Sequence, residues 1–316
     1  MNSIIDHLKS LKIELSKPCE GGLINNVWYG KKNNSDVVIK IIEDKKKYWK
    51  IRKEASVMDS FKENNYFSSL IEYNFFNDLA YLLIEKKEGI NAEEKIPNTK
   101  EFYFECGKLM ANIHEKFCFE KYGFLYELDK FGQDPSLFNS ETIIYSNPVD
   151  QIRHKLFVWT DFLKSKKMNF SQELDSLLLS FDFPSNMPDN NPVLCHGDFL
   201  LKNLIEKNGK LSGICDFELM FSGDASFDLH MIKQDLFENK KNNLFKYLIE
   251  GYETINPIPE SFEPLNNLYR IFNATREIFT LPFMLKKLNS KKHKSYLEKI
   301  NIKLINLINK TDKYLI

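Results

Sequence analysis

The spacing of apolar residues divides the chain into a first part with several strands and a second part that is mostly helical. In the first part, apolar residues either recur at helical spacing or form short runs of β-branched and aromatic residues. These patterns predict, in order, a helix at 4–15, strands at 23–29 and 36–42, a helix at 45–64, and strands at 69–76 and 79–85. A polar turn at 30–35 would join the first two strands.

After residue 85 the pattern becomes helical. The segment 86–98 is charged and contains Gly89 and Pro97, so we interpret it as a connector. Helical spacing then predicts helices at 100–117, 150–166, 171–181, 228–237, 243–255, 264–287 and 294–315. Two strand-like runs, 192–195 and 211–215, interrupt these helices and predict a small hairpin-like insert.

The length of the chain favours two structural units. With 316 residues and 37.3 kDa, it is too long for one ordinary core. The change of pattern places the boundary between 1–86, an N-terminal lobe, and 87–316, a C-terminal lobe. The 44 basic and 44 acidic residues cancel, which argues against a nucleic-acid partner.

The spacing of the cysteines and the length of the apolar runs bear on the cellular location of the protein. The five cysteines are scattered and form no C-x-x-C pair, which fits a reducing environment. No run of 18 apolar residues predicts a membrane span, and the N-terminus has no signal-peptide core. We therefore expect a cytoplasmic protein without a membrane partner, and we expect it to be a monomer.

Polar residues with chemical potential concentrate in the insert. His196, Asp198 and Asn203 form H-G-D-x-x-x-x-N after the first strand, and Asp216 follows in I-C-D-F-E after the second. An aspartate at a strand end can accept a hydroxyl proton, and an asparagine with a second aspartate can supply the oxygen ligands that Mg²⁺ prefers. Phosphoryl transfer needs little more than such groups and good positioning.

This combination resembles the aminoglycoside phosphotransferase and choline kinase superfamily. The resemblance implies an α+β, bilobal protein-kinase-like fold, with a small antiparallel-sheet N-lobe and a larger, mostly helical C-lobe. It implies Asp198 as the catalytic base, Asn203 and Asp216 as magnesium ligands, and His196 and Asp228 as structural support of the site. Taken singly, each acidic residue is more often a turn or cap residue, and only the combination in this order and spacing is specific.

The first part of the chain offers an independent test. A kinase needs a lysine on a buried strand, paired with a glutamate on the next helix, to hold the α- and β-phosphates. Lys40 lies in the apolar run V-V-I-K-I, and Glu54 follows on the predicted helix. The alternatives are a lysine on an edge strand that faces solvent and a glutamate on a solvated helix face.

Two further segments stand where the superfamily places nucleotide contacts. The segment E-G-G-L-I-N-N, with Gly21, Gly22 and Asn25, could cover the phosphates, although a plain turn fits equally. The segment Glu85, Lys86 and Lys87 falls at the expected hinge, where backbone groups would bind adenine. Its alternative is an ordinary charged linker.

The resemblance therefore predicts a kinase that uses Mg²⁺ and ATP, or GTP, to phosphorylate a small-molecule hydroxyl group. An aminoglycoside-type antibiotic is the first expected acceptor. Choline, ethanolamine, homoserine or a sugar is the metabolic alternative, and a nucleotide-binding pseudokinase is the third. Asp235, Glu238 and Glu277 could hold a cationic acceptor, but each of them is more often a surface residue, and the sequence does not assign the acceptor.

Overall fold

The computed structural model describes residues 7–19, 26–76, 79–138, 141–168, 171–185, 187 and 190–284. Three site residues predicted from the sequence, Gly21, Gly22 and Asn25, lie outside these ranges. The helix predicted at 294–315 also lies outside them.

Strands dominate the first part of the described chain and helices the second. The strands are β1 (Ile13–Pro18), β2 (Asn26–Lys32), β3 (Ser35–Ile42), β4 (Leu70–Phe76), β5 (Leu79–Glu85), β6 (Ile90–Asn91), β7 (Tyr122–Glu127), β8 (Lys130–Phe131), β9 (Ile144–Tyr145), β10 (Val193–Cys195), β11 (Leu204–Lys207), β12 (Lys210–Ile214) and β13 (Phe221–Gly223). The α-helices are α1 (Trp49–Ser60), α2 (Lys100–Lys116), α3 (Pro148–Ser165), α4 (Ser171–Ser180), α5 (Ser226–Glu238), α6 (Phe245–Tyr252) and α7 (Phe262–Met284). This distribution agrees with the predicted α+β fold.

The first sheet is antiparallel, with the order β1-β2-β3-β5-β4. Strands β2 and β3 are joined by Asn33 and Asn34 alone, which have φ angles of 50° and 67°. The predicted six-residue turn was therefore too long. Asparagine tolerates the left-handed conformation that a tight two-residue hairpin needs, so the strands extend up to it.

The helix predicted at 4–15 was wrong in its second half. Residues 7–10 are helical, but Lys12 has a φ of 57° and ends the helix, and Ile13 begins β1. Ile13 and Leu15 satisfy both a helical and an alternating pattern, so the apolar spacing alone could not separate the two. Pairing with β2 decides in favour of a strand.

The central strand β3 has apolar groups on both faces. Val37 and Ile39 pack on the face that also covers Leu8, whereas Ile42 packs on the other face with Ile51 of α1. Because side chains alternate along a strand, Lys40 shares the face of Ile42 and points towards α1.

The second part combines helices with short strands, and the prediction of only two strands there was wrong. One sheet has the order β10-β13-β7-β8, with β9 paired to β7, and another has the order β12-β11-β6. The missed strands β6, β8, β9, β11 and β13 have two to four residues, too few to show an alternating pattern. Strand β7 has six residues, but its first four are all buried, so they do not alternate either. Strand β6 lies inside the predicted connector. None of the helices in the described ranges is long and apolar enough to cross a membrane.

Candidate active site

Lys40 is a buried cation surrounded by carboxylates from distant parts of the chain. It lies on the central strand β3 and is 6% exposed, so it is not an edge lysine that faces solvent. Its Nζ donates hydrogen bonds to Glu54 of α1, to Asp216 Oδ1 at 3.1 Å and to Glu218 Oε2 at 3.0 Å. Burial would lower the pKa of Lys40, but the charges of Asp216, Glu54 and Glu218 raise it well above its usual value. Lys40 is therefore an ammonium ion.

Carboxylates outnumber cations around Lys40. Glu218 also accepts a hydrogen bond from Lys50 Nζ at 3.0 Å. Against the effect of burial, the two lysines hold the pKa of Glu218 well below its usual range. Burial, opposed by Lys40, raises the pKa of Glu54 to about 7. Oxygen atoms of Glu54, Asp216 and Glu218 lie within 4.8 Å of one another, so three carboxyl groups face two lysines. The cluster can accept a further positive charge.

Asp216 is the member of this cluster that faces outward. Its side chain is 39% exposed, whereas that of Glu218 is 7% exposed. Its backbone is left-handed, with φ 66° and ψ 60°, a conformation that costs a non-glycine residue about 1–3 kcal/mol. The preceding residue is held on both sides, because the Cys215 N–H donates to Asn203 O at 3.0 Å and the Cys215 carbonyl accepts from His196 at 3.0 Å.

Asp198 lies in the loop between β10 and β11 and is 5% exposed. The Asn203 side-chain amide donates to the Asp198 carbonyl at 2.8 Å and to Oδ2 at 3.0 Å. Although burial acts in the opposite direction, the charges of Arg276 and Lys202 bring the pKa of Asp198 below its usual value. Asp198 is thus a buried, ionised carboxylate. Because the amide nitrogen of Asn203 is used for Asp198, its amide oxygen is the atom available to a metal.

His196 fixes the shape of this loop. Its Nδ1 accepts a hydrogen bond from the Asp198 N–H at 3.2 Å, and its Nε2 lies 3.0 Å from the Cys215 carbonyl oxygen. A carbonyl can only accept, so Nε2 carries the proton and donates it. The ring therefore connects the segment that contains Asp198 to the segment that contains Asp216.

Asp228 holds the same loop from the start of α5. Its Oδ2 accepts the His196 N–H at 2.7 Å, its Oδ1 accepts the Gly197 N–H at 3.0 Å, and His114 Nε2 lies 3.3 Å from Oδ2. Gly197 has a φ of 80°, and a Cβ there would lie 2.2 Å from the Leu219 carbonyl oxygen. The loop therefore needs both the carboxylate and the glycine.

The hinge residues predicted from the sequence begin at Glu85, the last residue of β5, and continue with Lys86 and Lys87. The Glu85 N–H donates to the Ser69 carbonyl and the Lys86 N–H to the Asp36 carbonyl, both at 3.0 Å. Contacts of this segment with a ligand would therefore involve its carbonyl groups or Lys87.

Several charged residues at the site were not found from the sequence. In the sequence, Lys50 and Lys202 look like the many other lysines of the chain, and their residue type alone does not mark them as part of a site. Arg276 is more than 70 residues from Asp198, its partner in the structure. Asp235, considered for the acceptor, instead accepts the Leu201 N–H at 2.7 Å and so supports the loop. Burial raises the pKa of Asp235 to about 6.

Solved structures with the same fold were found over nearly the whole chain. The aminoglycoside phosphotransferase APH(4)-Ia, in complex with ADP and hygromycin B, has a TM-score of 0.67 at 13% identity and covers 98% of both chains. A proposed fructosamine-3-kinase from Haemophilus somnus 129PT has a TM-score of 0.64 at 16% identity, with 97% of this chain and 96% of that chain covered. Spectinomycin phosphotransferase APH(9)-Ia, with ADP and spectinomycin, has a TM-score of 0.61 at 15% identity, with 98% of both chains covered. The kinase-like fold predicted from the sequence is confirmed.

Sequence comparisons give one family match and two distant relatives. The model of the phosphotransferase enzyme family matches residues 16–265. Human ADP-ribosylation factor-binding protein GGA3 and the non-toxic nonhemagglutinin type E of Clostridium botulinum are each 24% identical, over 73% and 80% of this chain. The chain spans only 33% and 20% of the lengths of those two proteins.

Proposed function

Because the chain belongs to the phosphotransferase enzyme family, we propose that it transfers the γ-phosphoryl group of ATP or GTP to a hydroxyl group of a small molecule. The family match confirms the resemblance inferred from the H-G-D-x-x-x-x-N motif, and it makes the chain a phosphotransferase that acts on small-molecule hydroxyl groups. The observation that carries the proposal is the 3.1 Å contact between Lys40 and Asp216, which are 176 residues apart.

The nucleotide occupies the cleft beside Lys40. Lys40, oriented by Glu54, binds the α- and β-phosphates, and the segment 85–87 binds the base through its backbone. Gly21, Gly22 and Asn25, which lie outside the described residues, are assigned to phosphate binding only on the resemblance of their sequence. Similar structures contain ADP, which supports nucleotide use by this chain as well. In this arrangement residues 1–86 form the nucleotide-binding lobe and residues 87–316 the catalytic and acceptor-binding lobe.

The residues at the cleft fit a magnesium ion. The outward-facing carboxylate of Asp216 and the amide oxygen of Asn203 are hard oxygen ligands, and the carboxyl groups near Lys40 outnumber the lysines. We assign the metal to Asn203 and Asp216. When bound, the ion would neutralise the charge of the phosphate oxygens.

Asp198 accepts the proton of the acceptor hydroxyl. The bond between the γ-phosphorus and the β,γ-bridging oxygen breaks, a bond forms between that phosphorus and the acceptor oxygen, and the nucleoside diphosphate leaves. The hydroxyl proton moves to the Asp198 carboxylate, which is ionised and held in place by Asn203. No covalent intermediate with the enzyme is needed.

The acceptor has two candidate classes. An aminoglycoside-type antibiotic is supported by the similar structures that contain hygromycin B and spectinomycin. A metabolic acceptor is supported by a different observation, the cations Lys202 and Arg276 next to Asp198, which do not suit a polycation.

All five cysteines are free thiols, which supports a cytoplasmic location. The monomeric state stays a prediction.

The test is release of ADP in the presence of a broad acceptor panel. We expect turnover by the wild-type protein, and we expect Asp198→Asn to lower it at least about 100-fold while ATP affinity stays nearly unchanged. Turnover unaffected by Asp198→Asn would contradict the assigned role. Nucleotide binding without any phosphorylated product would instead indicate a pseudokinase.

A further inference from the structure

The charged groups that contact Asp198 among the described residues are both cations. Lys202 Nζ lies 2.7 Å from Asp198 Oδ2, and Arg276 Nη2 lies 3.4 Å from Oδ1. The Lys202 side chain is 46% exposed and that of Arg276 is 20% exposed. An exposed ion pair is weak because solvent screens it, so Arg276 supplies the more persistent positive charge.

Arg276 is held rigidly beside the loop that contains Asp198. It projects from α7, and its Nη1 donates to the Gly197 carbonyl at 3.0 Å, while Nη2 lies 3.9 Å from Met231 Sδ. A guanidinium group has more N–H donors than these contacts and the Asp198 contact use. Arg276 can therefore bind a ligand without leaving its place.

The two oxygens of Asp198 are not equivalent. Oδ2 is engaged by Asn203 Nδ2 at 3.0 Å and by Lys202 at 2.7 Å. Oδ1 is therefore the oxygen that receives the hydroxyl of the acceptor, and this is the oxygen next to Arg276. The substituents of the carbon that bears this hydroxyl must lie near the guanidinium group.

The acidic residues considered for a cationic acceptor are placed elsewhere. Asp235 accepts the Leu201 N–H, and Glu238 accepts a hydrogen bond from Gln234 on the exposed side of α5. Glu277 directly follows Arg276 in α7, and adjacent residues of a helix do not face the same way. Within the described ranges, the charged side chains that contact Asp198, those of Lys202 and Arg276, are both positive.

We propose that the acceptor carries an anionic group, a carboxylate or a phosphate, close to the hydroxyl that is phosphorylated, and that Arg276 binds this group and determines specificity. The inference rests on the proposed function, because it assigns a substrate class to the same site. A guanidinium group binds carboxylate and phosphate through paired N–H groups, so both anions fit. A polycationic aminoglycoside would place ammonium groups against Arg276.

The first experiment offers acceptors of different charge in one mixture. Hydroxy acids, sugar phosphates, neutral polyols, amino alcohols and aminoglycosides are supplied at equal concentration with Mg²⁺ and ATP isotopically labelled at the γ-phosphate, and mass spectrometry identifies the labelled products. We expect label on hydroxy acids or sugar phosphates, and the product shows which anion is used. Label mainly on neutral or cationic acceptors would overturn the inference and leave the proposed function intact. No labelled product from a nucleotide-binding wild type would refute the proposed function itself.

The second experiment tests Arg276 with matched variants. Arg276→Gln should raise KM for the anionic acceptor by about 10- to 100-fold, the range expected for a lost hydrogen bond to a charged group, with KM for ATP unchanged. Arg276→Lys should restore part of the loss. Arg270→Gln is the control, because Arg270 lies on the same helix and its Nη1 lies 3.4 Å from Asn267 Oδ1 on the exposed surface.

A purely structural role gives a different result. If Arg276 only held the loop through Gly197, Arg276→Gln would lower kcat/KM equally for an anionic acceptor and for its uncharged amide or alcohol analogue. An unchanged ratio between these two acceptors would therefore overturn the assignment, whereas a fall in that ratio of about 10-fold or more supports it.

Discussion

Asp228→Asn tests whether a single carboxylate holds the loop that contains Asp198. Asp228 is 1% exposed, and each of its oxygens accepts one backbone N–H, from His196 at 2.7 Å and from Gly197 at 3.0 Å. Asparagine has the same size but only one acceptor oxygen. One of the two N–H groups must then face the amide nitrogen, which cannot accept it.

The expected loss follows from these two contacts. A hydrogen bond to a charged group contributes about 1.5–3 kcal/mol, and a buried donor left without a partner costs about 1–3 kcal/mol. Since one bond is lost and the other becomes neutral, we expect the free energy of unfolding to fall by about 3–5 kcal/mol. Asp235→Asn is the matched control on the same helix. Asp235 accepts one backbone N–H at Oδ2 and the part-buried side-chain amide of Asn239 at Oδ1, 3.1 Å away. An asparagine amide oxygen keeps the backbone contact and only the contact with Asn239 is lost, so the change should be smaller, about 1–2 kcal/mol.

Urea unfolding followed by circular dichroism measures both changes. Hydrogen exchange of the peptide that contains His196 and Gly197 measures the loop directly, and its protection should fall in Asp228→Asn but not in Asp235→Asn. Equal stability of the two variants, with the loop still protected, would refute the reasoning that Asp228 is the main support of this loop.

Two further predictions concern the loop and the interior. Gly197→Ala should abolish turnover and lower stability, because its φ is 80° and the new Cβ would lie 2.2 Å from the Leu219 carbonyl oxygen; wild-type kinetics would contradict this geometry. Lys53→Met should stabilise the protein, because burial lowers the pKa of Lys53 well below its usual value. Lys155 and Lys50 also lower this pKa, and the opposing effect of Asp134 and Glu218 is too small to restore it. Because the folded state disfavours the ammonium form, wild-type stability falls as pH drops below the usual lysine pKa, and the gain from Lys53→Met should be greater near neutral pH than near pH 10. Lower stability of Lys53→Met at neutral pH would mean that a charged Lys53, with Nζ 4.0 Å from the centre of the Phe124 ring, is favourable.

Sequence reasoning predicted the parts of the site that are local. His196, Asp198 and Asn203 occupy one short loop, so their types and spacing predict the proposed chemistry without knowledge of the fold. The charged Lys40 in an apolar strand was informative for the same reason, because a buried charge needs a partner. The contact of Lys40 with both Glu54 and Asp216 shows where that partner comes from.

The parts that were missed depend on contacts between distant segments. Strand β7 pairs with β13, almost 100 residues later, and neither strand has a pattern that predicts this pairing. The side chain of Arg276 looks like any polar residue of a long helix until α7 is placed against Gly197. Residues whose role depends on tertiary contacts give no local signal, and Arg276, the proposed specificity residue, belongs to that group.

The distribution of charge explains why the proposed chemistry needs cations on two sides. A triphosphate and an anionic acceptor repel each other, so an enzyme that brings them together must balance both. In the proposed arrangement Lys40 faces the phosphates on one side, and the carboxyl groups of Glu54, Asp216 and Glu218, which outnumber Lys40 and Lys50, leave room for a bound metal ion. On the other side Arg276 lies 3.4 Å from Asp198 Oδ1, the oxygen proposed to receive the hydroxyl. Positive groups fixed before the substrates arrive cost little reorganisation during the reaction. Removing Arg276 should therefore reduce use of the anionic acceptor and leave nucleotide binding unchanged, because each side of the cleft balances a different substrate.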